Sequence, residues 1–369
     1  MMMNVHILSD GFVAPNARAF VFPLIVHRRA LRQAGIEIKL FDRPVPELTA
    51  GDVLLVDGRY FTGPEKGRPE YLVRCLEGWR GKQDNLAWVD TSDSAGWLHA
   101  EALPLVRHYF KGQFLKDRDL YTKPLYGRRL YSDYYHRVEG VVDGDAVTGE
   151  LSEPQVRDPK LLDRLFLSYN SAYCDYSRFS PWFAEGYRHL GWPTLLRFPC
   201  GKSVPPSIQR PFGISCRISI NYPRSSVAWQ RRRVAEMLSA HLPVNRVGRG
   251  RFFAEMAKAK AVISPFGWGE INIGRDYECF LSGALLIKPD MSHLETWPNV
   301  FIAGSTMVTF RWDMSDLVAL VEEVECHYEK FVEIARRGQE AYYEILCGEQ
   351  ASAFFVDRFA GMIRSLLNS

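Results

Sequence analysis

Apolar and polar positions along the first half of the chain predict strands and helices in turn. Short apolar or alternating runs predict four strands, at residues 5–8, 36–41, 52–56 and 86–89. Apolar side chains at helical spacing predict helices at residues 17–33 and 70–79. A β-α-β-β-α-β order is typical of a parallel sheet flanked by helices, so this half is predicted to be an α/β domain.

The same pattern starts again in the second half. Strands are predicted at residues 214–220, 261–264 and 284–287, and helices at 227–240, 252–259 and 273–282. Two long helical patterns follow, at 316–346 and 352–367, with no strand after them. The pattern therefore predicts two successive Rossmann-like α/β units with a helical tail.

A group of prolines around Gly201 marks the boundary between the two units, because this composition is typical of a linker. These prolines are Pro199, Pro205, Pro206 and Pro211. We expect an N-terminal domain over residues 1–205, a C-terminal domain over 206–346 and a C-terminal helix over 347–369. The Gly- and Asp-rich residues 138–153 are expected to form a surface hairpin or loop.

Composition and charge narrow the class of protein. The chain has 369 residues, of which 47% are hydrophobic and 24% are charged, and this globular composition excludes a disordered chain. The net charge of +3 is too balanced to indicate a nucleic-acid-binding protein. The apolar runs are far shorter than the roughly 20 residues that span a bilayer, and we expect no signal peptide. We expect a cytoplasmic protein.

The cysteines and histidines give no sign of a metal site. None of the seven cysteines belongs to a Cys-x-x-Cys pair, which suits a reducing compartment and predicts seven free thiols rather than a disulfide scaffold. The histidines have no partners at the spacing of metal ligands, so no bound metal is expected.

One segment of the second half combines a strand end, a glycine-rich loop, a helix and a final glycine. Gly267 and Gly269 let the backbone approach a ligand closely, and the N–H groups at the start of the helix can receive a phosphate. Glu270 lies just before the predicted helix and Glu278 lies on it, with Arg275 three residues before Glu278. Two carboxylates and a cation are thus predicted at the N-terminus of a helix.

The spacing of the two glutamates resembles the Glu-(seven residues)-Glu motif of retaining glycosyltransferases with the GT-B fold. The Ser-Pro before the loop, the Arg-Asp-Tyr-Glu and the Ser-Gly-Ala resemble the group 1, exostosin-like and CgeB-like bacterial branches. The resemblance implies two Rossmann-like domains facing a cleft, a nucleotide-sugar site in the second, and a C-terminal helix packed back on the first. It also implies that Glu270 contacts the donor sugar and Glu278 the ribose, with no cofactor besides the nucleotide-sugar.

Further residues are candidates for binding the donor. Many members of the retaining glycosyltransferase family that the sequence resembles carry an Arg and a Lys near the first strand of the second domain. Arg217 occupies the place of the Arg, and Arg224 is the nearest basic residue where the Lys would stand. Arg217 and Arg275 are predicted to bind the diphosphate, with Lys288 at the end of the next strand. The loop residues predicted to contact the donor are Ser264, Gly267, Trp268 and Gly269.

Carboxylates of the first domain are candidates for the acceptor side of the reaction. Asp10, Asp57 and Asp93 are predicted to face the cleft, where one of them binds the acceptor or acts as a base. Asp10 is taken as catalytic beside Glu270. An inverting transferase on the same fold would use Asp10 or Asp93 as its general base. A metal is not needed in this scheme, since cationic side chains and helix N-termini stabilise the leaving diphosphate.

The main prediction is a retaining glycosyltransferase of polysaccharide assembly, and two alternatives stay open: an inverting transferase and a non-catalytic nucleotide-sugar-binding module. The expected partners are a nucleotide-sugar and a carbohydrate, lipid-linked or protein acceptor, not a nucleic acid. The basic residues 231–233, Arg246, Arg249 and Arg251 form either a solvated face or a docking surface for the inner face of an anionic membrane. An NAD dehydrogenase is disfavoured because residues 9–12 lack a Gly-x-Gly-x-x-Gly motif.

Overall fold

The first half of the chain folds around a sheet of six parallel strands. The computed structural model describes residues 2–144, 153–196 and 204–368. The strands of this half are β1 Met3–Leu8, β2 Ile36–Phe41, β3 Val53–Asp57, β4 Leu86–Asp90, β5 His108–Lys111, β6 Gln113–Leu115 and β7 Leu165–Leu167. The sheet has the order β2-β1-β3-β4-β5-β7, and every neighbouring pair in it is parallel.

Five α-helices with described residues belong to this half of the chain. They are α1 Pro15–Val26, α2 Arg28–Gln33, α3 Pro69–Arg80, α4 Leu130–Glu139 and α5 Ser180–Leu190. Strands β3 and β4 are buried along their whole length, as is typical of a parallel sheet covered by helices. The single helix predicted at 17–33 is divided at His27, whose ring packs against Phe355 near the C-terminus.

The second half builds a parallel sheet of four strands. Its strands are β8 Phe212–Ser215, β9 Ala259–Ile263, β10 Leu285–Pro289, β11 Leu294–Thr296 and β12 Val308–Phe310. The sheet has the order β12-β10-β9-β8. The helices are α6 Ser225–Leu238, α7 Arg249–Met256, α8 Arg275–Ser282, α9 Leu317–Cys326, α10 Val332–Cys347 and α11 Ala351–Asn368. Two parallel α/β units followed by C-terminal helices confirm the predicted architecture of two Rossmann-like units with a helical tail.

A β-ribbon and a helix are among the elements that join the units. Strand β11 of the second unit pairs antiparallel with β6 of the first, and the main-chain N–H of Lys116 extends this ribbon by donating to the carbonyl of His293 (2.9 Å). Helix α11 leaves the second unit and buries Phe355, Phe359 and Ile363 in the same apolar cluster as the residues of β1. The ribbon brings the loop after β10 against the first unit.

Two predicted elements differ from the structure. The strand predicted at 214–220 ends at Ser215, and Arg217 lies beyond it with its guanidinium turned to Glu255 of α7. The helical pattern at 316–346 is two helices, α9 and α10, because the chain between them turns inward to bury Tyr328 in the core of the second unit.

Parts of the predicted linker and surface loop, residues 197–203 and 145–152, lie outside the described residues. Among the described residues, five cysteines are free thiols, but Cys347 is disulfide-bonded, so the prediction of seven free thiols is wrong at that residue. Within the described ranges, no helix has the length and apolar character needed to cross a bilayer.

Candidate functional site

The loop between β9 and α8 is held from beneath by a buried ion pair. Asp276 in the first turn of α8 accepts hydrogen bonds from Ser264 Oγ (2.6 Å) and from the main-chain N–H of Asn272 (2.8 Å). Its other partner is Lys288 Nζ at 2.8 Å, and both charged side chains are fully buried. Ser264 and Lys288, predicted to bind the donor, thus direct their polar atoms to Asp276, and a contact with the donor stays a prediction.

Two glycines of this segment admit protein neighbours. A Cβ on Gly269 would lie 1.8 Å from the carbonyl oxygen of Asp93, so the glycine lets the loop touch the first unit. A Cβ on Gly267 would lie 2.7 Å from Asn272 Oδ1. At both positions the close approach is made to the protein itself, and the predicted contact of Gly267 and Gly269 with the donor stays a prediction.

Glu270 is fully buried where this loop meets the first unit. Its Oε2 accepts a hydrogen bond from the main-chain N–H of Ala95 (2.9 Å), and its Oε1 accepts one from Ser94 Oγ (3.3 Å). His293 Nε2 lies 3.8 Å from Oε1. Burial tends to raise the pKa of Glu270, but His293 and the N–H of Ala95 outweigh it and hold the pKa below its usual value. The carboxylate is thus kept charged between the two units.

Glu278 lies at the N-terminus of α8, next to two arginines. Its Oε1 is 2.8 Å from Arg249 Nη2, and the Glu278 side chain is 3% exposed against 49% for Arg249. Burial raises the pKa of Glu278, and Arg249 and Arg275 counteract part of that rise. Arg249, which the sequence assigned to a basic surface, thus forms an ion pair with a predicted ligand-binding carboxylate.

Arg275 is partly exposed as a residue, but its guanidinium is incompletely bonded and has a buried nitrogen. One terminal nitrogen, Nη2, donates to the main-chain carbonyl of Arg217, whereas Nη1 has no acceptor among the described residues. Its guanidinium also lies 5.0 Å from the centre of the Phe252 ring. Burial, reinforced by the charge of Arg231, lowers the pKa of Arg275 to about 10. A cation with a buried, unused donor is unfavourable unless an anion completes it.

Arg217 already has an anionic partner inside the second unit. Its Nε and Nη2 lie 3.0 and 2.9 Å from the carboxylate oxygens of Glu255, and Nη1 donates to Asn245. This paired arrangement accounts for a buried arginine without any ligand. The phosphate contact predicted for Arg217 stays a prediction.

Arg231 is buried, although the sequence placed it on a basic face. Its Nη2 donates to the carbonyl of Pro265 (3.1 Å) and to Asn272 Oδ1 (3.0 Å), so it supports the glycine-rich loop. The sequence held a signal for this position: Val227, Arg231, Val234 and Leu238 follow helical spacing on one side of α6, and all four are buried. An arginine on the apolar side of a helix indicates a structural or ligand-binding cation.

A cavity of about 290 Å³ lies between the units, at the carboxyl ends of β3 and β4. The second unit contributes Arg224 and Trp268 to its lining, and the first contributes Arg59, Asp93, Trp97, His99 and Arg129. Asp93 pairs with Arg59 (3.0 Å) and accepts a hydrogen bond from Asn16 Nδ2 (2.9 Å). Arg129 donates to the carbonyl of Trp268 (2.9 Å). Arg129 was missed from the sequence, although it lies in the Tyr- and Arg-rich residues 121–135.

The other candidate aspartates of the first unit are elsewhere. Asp57 is fully buried and accepts from Ser9 Oγ (2.7 Å) and Thr91 Oγ1 (2.8 Å), so it is a structural carboxylate and the prediction that it faces the cleft is wrong. Asp10 lines a separate cavity of about 470 Å³ whose lining comes from the first unit alone. Burial raises the pKa of Asp10, and Lys66 at 4.0 Å counteracts it.

The chain is similar to solved structures over nearly its whole length, at low sequence identity and at TM-scores below 0.5. HepE from Anabaena, in complex with UDP and glucose, is 9% identical, with 98% of this chain and 100% of HepE covered at a TM-score of 0.44. A Rickettsia africae glycosyltransferase is 8% identical, with 99% and 98% covered at 0.43. The calicheamicin glycosyltransferase CalG4 is 14% identical, with 100% and 98% covered at 0.33. No protein-family model and no curated protein matches the chain.

Proposed function

We propose that this chain is a glycosyltransferase that moves a sugar from a nucleoside diphosphate sugar to a carbohydrate, lipid-linked or protein acceptor. In this proposal the reaction retains the anomeric configuration and needs no metal. The observation that carries the proposal is the first turn of α8. There, Glu278 is buried and paired with Arg249, and the buried Nη1 of Arg275 has no acceptor among the described residues. A diphosphate would supply an acceptor for Arg275, and a ribose would supply hydroxyl donors for Glu278.

The diphosphate is assigned to Arg275. A phosphate oxygen would accept from the unused Nη1, and charged hydrogen bonds of this kind contribute roughly 1.5–3 kcal/mol. The N–H groups at the start of α8 favour an anion at the same end of the helix. Together they stabilise the negative charge that grows on the leaving nucleoside diphosphate as the glycosidic bond breaks.

The ribose is assigned to Glu278. A carboxylate accepts two hydrogen bonds from a vicinal diol, and Glu278 has its carboxylate available once the half-exposed Arg249 turns aside or shares it. Because burial favours the neutral acid, a nucleotide that donates two hydrogen bonds would also stabilise the charged form.

The donor sugar is assigned to the position of Glu270. Its contacts with Ser94 and Ala95 are across the junction of the units, where donor and acceptor have to meet. A sugar hydroxyl would replace the Ser94 hydroxyl as donor to the carboxylate. The sugar passes through an oxocarbenium-like state, and a nearby carboxylate kept charged by His293 stabilises that state electrostatically.

The acceptor is assigned to the 290 Å³ cavity. The rings of Trp97 and Trp268 form flat apolar walls of the cavity. The carboxylate of Asp93 can accept a hydrogen bond from a hydroxyl group of the molecule that receives the sugar. If the reaction inverts configuration, Asp93 is the better candidate for the general base than Asp10, because Asp10 lines a cavity that the second unit does not reach.

A binding and turnover experiment tests the proposal. Uridine, guanosine and cytidine diphosphates are screened by thermal shift, since a ligand at 100 times its Kd adds roughly 2.7 kcal/mol of stability. One of them should stabilise the chain, and Glu278→Gln should reduce that shift, whereas Glu322→Gln on the exposed side of α9 should not. Absence of a shift with all three would contradict the proposal. Binding without release of nucleotide from any nucleotide-sugar would leave the non-catalytic alternative.

A further inference from the structure

Helix α5 has two apolar sides, and only one of them faces the protein. Ser180 and Ala184 are buried against the first unit. On the opposite side, Phe179, Trp182, Phe183 and Leu190 repeat at the spacing of one helix face and are exposed by 56%, 80%, 44% and 53%. A helix that packs only against its own domain turns polar residues to solvent, so this second side calls for an explanation.

The exposed side continues past the end of the helix. Gly191 ends α5 in the left-handed conformation (φ +67°), and Trp192 follows with 59% of its surface exposed. We call Phe179, Trp182, Phe183, Leu190 and Trp192 the aromatic patch. Four of its five members are aromatic, and Trp182 is more exposed than any other large apolar side chain among the described residues.

Cations border the aromatic patch. Arg178 lies over the ring of Phe179 at 5.3 Å. Glu185, the carboxylate on this part of the helix, is 2.9 Å from Arg188 Nη2 and 2.8 Å from His189 Nε2, so its charge is neutralised locally. With Glu185 paired to Arg188, the charge of Arg178 is left to face whatever covers the patch.

The size and chemistry of the patch point to a lipid surface rather than a stable protein partner. An aromatic side chain has a surface of about 150–250 Å², so the exposed fractions of the four aromatic residues add up to about 500 Å². This is less than the about 800 Å² that each partner contributes to a standard protein–protein interface. Tryptophan and phenylalanine beside arginine are the side chains of helices that lie in the interface of an anionic membrane.

We propose that the aromatic patch of α5 docks the protein on an anionic membrane, with Trp182 and Trp192 inserted at the level of the lipid headgroups. The docking surface thus differs from the basic residues 231–233 of α6, of which Arg231 is buried beneath the glycine-rich loop. Tyr187, Arg188 and Gly191 of the same segment also line the 470 Å³ cavity that holds Asp10, so that cavity borders the membrane-facing side.

The test is co-sedimentation of the full chain with vesicles. Vesicles of phosphatidylglycerol and phosphatidylcholine in equal parts should bind the protein, and pure phosphatidylcholine should bind it more weakly, because the cationic border loses its counterpart. Replacing both tryptophans, by Trp182→Ala and Trp192→Ala, should weaken binding at least about tenfold. Trp182→Phe should keep most of it. Ile302→Ala, an exposed apolar residue of the second unit, is the matched control and should bind like the parent.

Several results would overturn the proposal. The first is that the parent protein does not bind anionic vesicles. The second is that the double tryptophan variant binds them as well as the parent does. The third is that binding is lost on the substitutions Arg246→Gln and Arg251→Gln rather than on the tryptophan substitutions. Light scattering that finds a dimer of the parent and a monomer of the double variant would assign the patch to a second copy of the chain. Thermal shift by nucleoside diphosphates is measured on the same variants, so failure here stays separate from failure of the proposed glycosyl transfer.

Discussion

Helix α8 carries two buried charged clusters that differ in how completely they are bonded. Asp276 is matched by Lys288, by the hydroxyl of Ser264 and by the N–H of Asn272, all within 2.8 Å. In the same turn of α8, Glu278 is also buried, and beside it Arg275 buries a guanidinium nitrogen, Nη1, that has no acceptor among the described residues.

This difference distinguishes a cluster that supports the loop structurally from one that is suited to bind a ligand. A buried charge with all its partners inside the protein fixes a loop, and removing one partner leaves an expensive unpaired charge. A buried charge with an unused donor is destabilising in the free protein and becomes favourable only when a ligand supplies the missing acceptor. The two clusters therefore predict opposite responses to substitution: loss of stability at the first, and loss of ligand affinity at the second.

The largest effect is expected at Lys288. Lys288→Met leaves the carboxylate of Asp276 buried without its cation and should lower the free energy of unfolding by about 3–5 kcal/mol. Urea unfolding measures this loss, and adding Asp276→Asn should recover part of it. A loss below about 1 kcal/mol would mean that the pair does not support the loop.

Glu270 tests whether a fully bonded carboxylate at the junction of the units also takes part in the reaction. Glu270→Gln keeps the shape and should leave nucleotide affinity nearly unchanged. It should reduce turnover about a hundredfold or more if the charge contributes roughly 3 kcal/mol in the transition state. Steady-state kinetics with the donor found by the thermal-shift screen measures the effect. Unchanged turnover would restrict Glu270 to joining the units through Ser94 and Ala95.

Arg275 should show the opposite behaviour to Lys288. Arg275→Met removes a cation that is only partly bonded, so the free energy of unfolding should stay the same or rise. Affinity for a nucleoside diphosphate should fall roughly 10- to 100-fold, and affinity for the nucleoside should not. Calorimetric titration of both ligands measures this. An equal loss for the two ligands would move Arg275 away from the phosphates.

The smallest effect is a pH dependence at Glu278. Burial raises the pKa of this carboxyl in the folded protein, so its contribution to stability is present below the pKa of the unfolded chain and is lost as the pH rises through the folded pKa. Glu278→Gln should therefore match the parent in acid and be the more stable of the two near neutral pH. Urea unfolding across this pH range checks the sign, and parallel pH profiles for the two proteins would contradict the raised pKa.

Much of the fold was accessible from the sequence. Buried parallel strands leave near-continuous apolar runs, so β3, β4 and β10 were predicted to within about two residues, and the glycine-rich loop before α8 was recognised. The breaks inside the helical patterns could not be predicted from the sequence, because tertiary contacts cause them. His27 packs against Phe355, and Tyr328 turns into a core formed by other elements.

The partners of the charged residues were the least predictable part of the site. The sequence identified Lys288, Arg217 and Glu270 as unusual, but their partners Asp276, Glu255 and Ala95 are decided by how strands and helices meet. Spacing along the chain gives the face of a helix and not what lies across from it. The assignment of Arg231 to a basic surface was wrong, although its buried apolar neighbours on one side of α6 carried the signal that it is buried.

Binding of nucleoside diphosphate to the first turn of α8 is tested most directly by calorimetric titration of the parent, Glu278→Gln and Glu322→Gln with the diphosphate that gives the largest thermal shift. The account predicts saturable binding to the parent, about tenfold weaker binding to Glu278→Gln because a charged acceptor of the ribose diol is lost, and parental affinity for Glu322→Gln. Equal affinity for all three proteins would contradict the account, because the ligand would then bind away from Glu278.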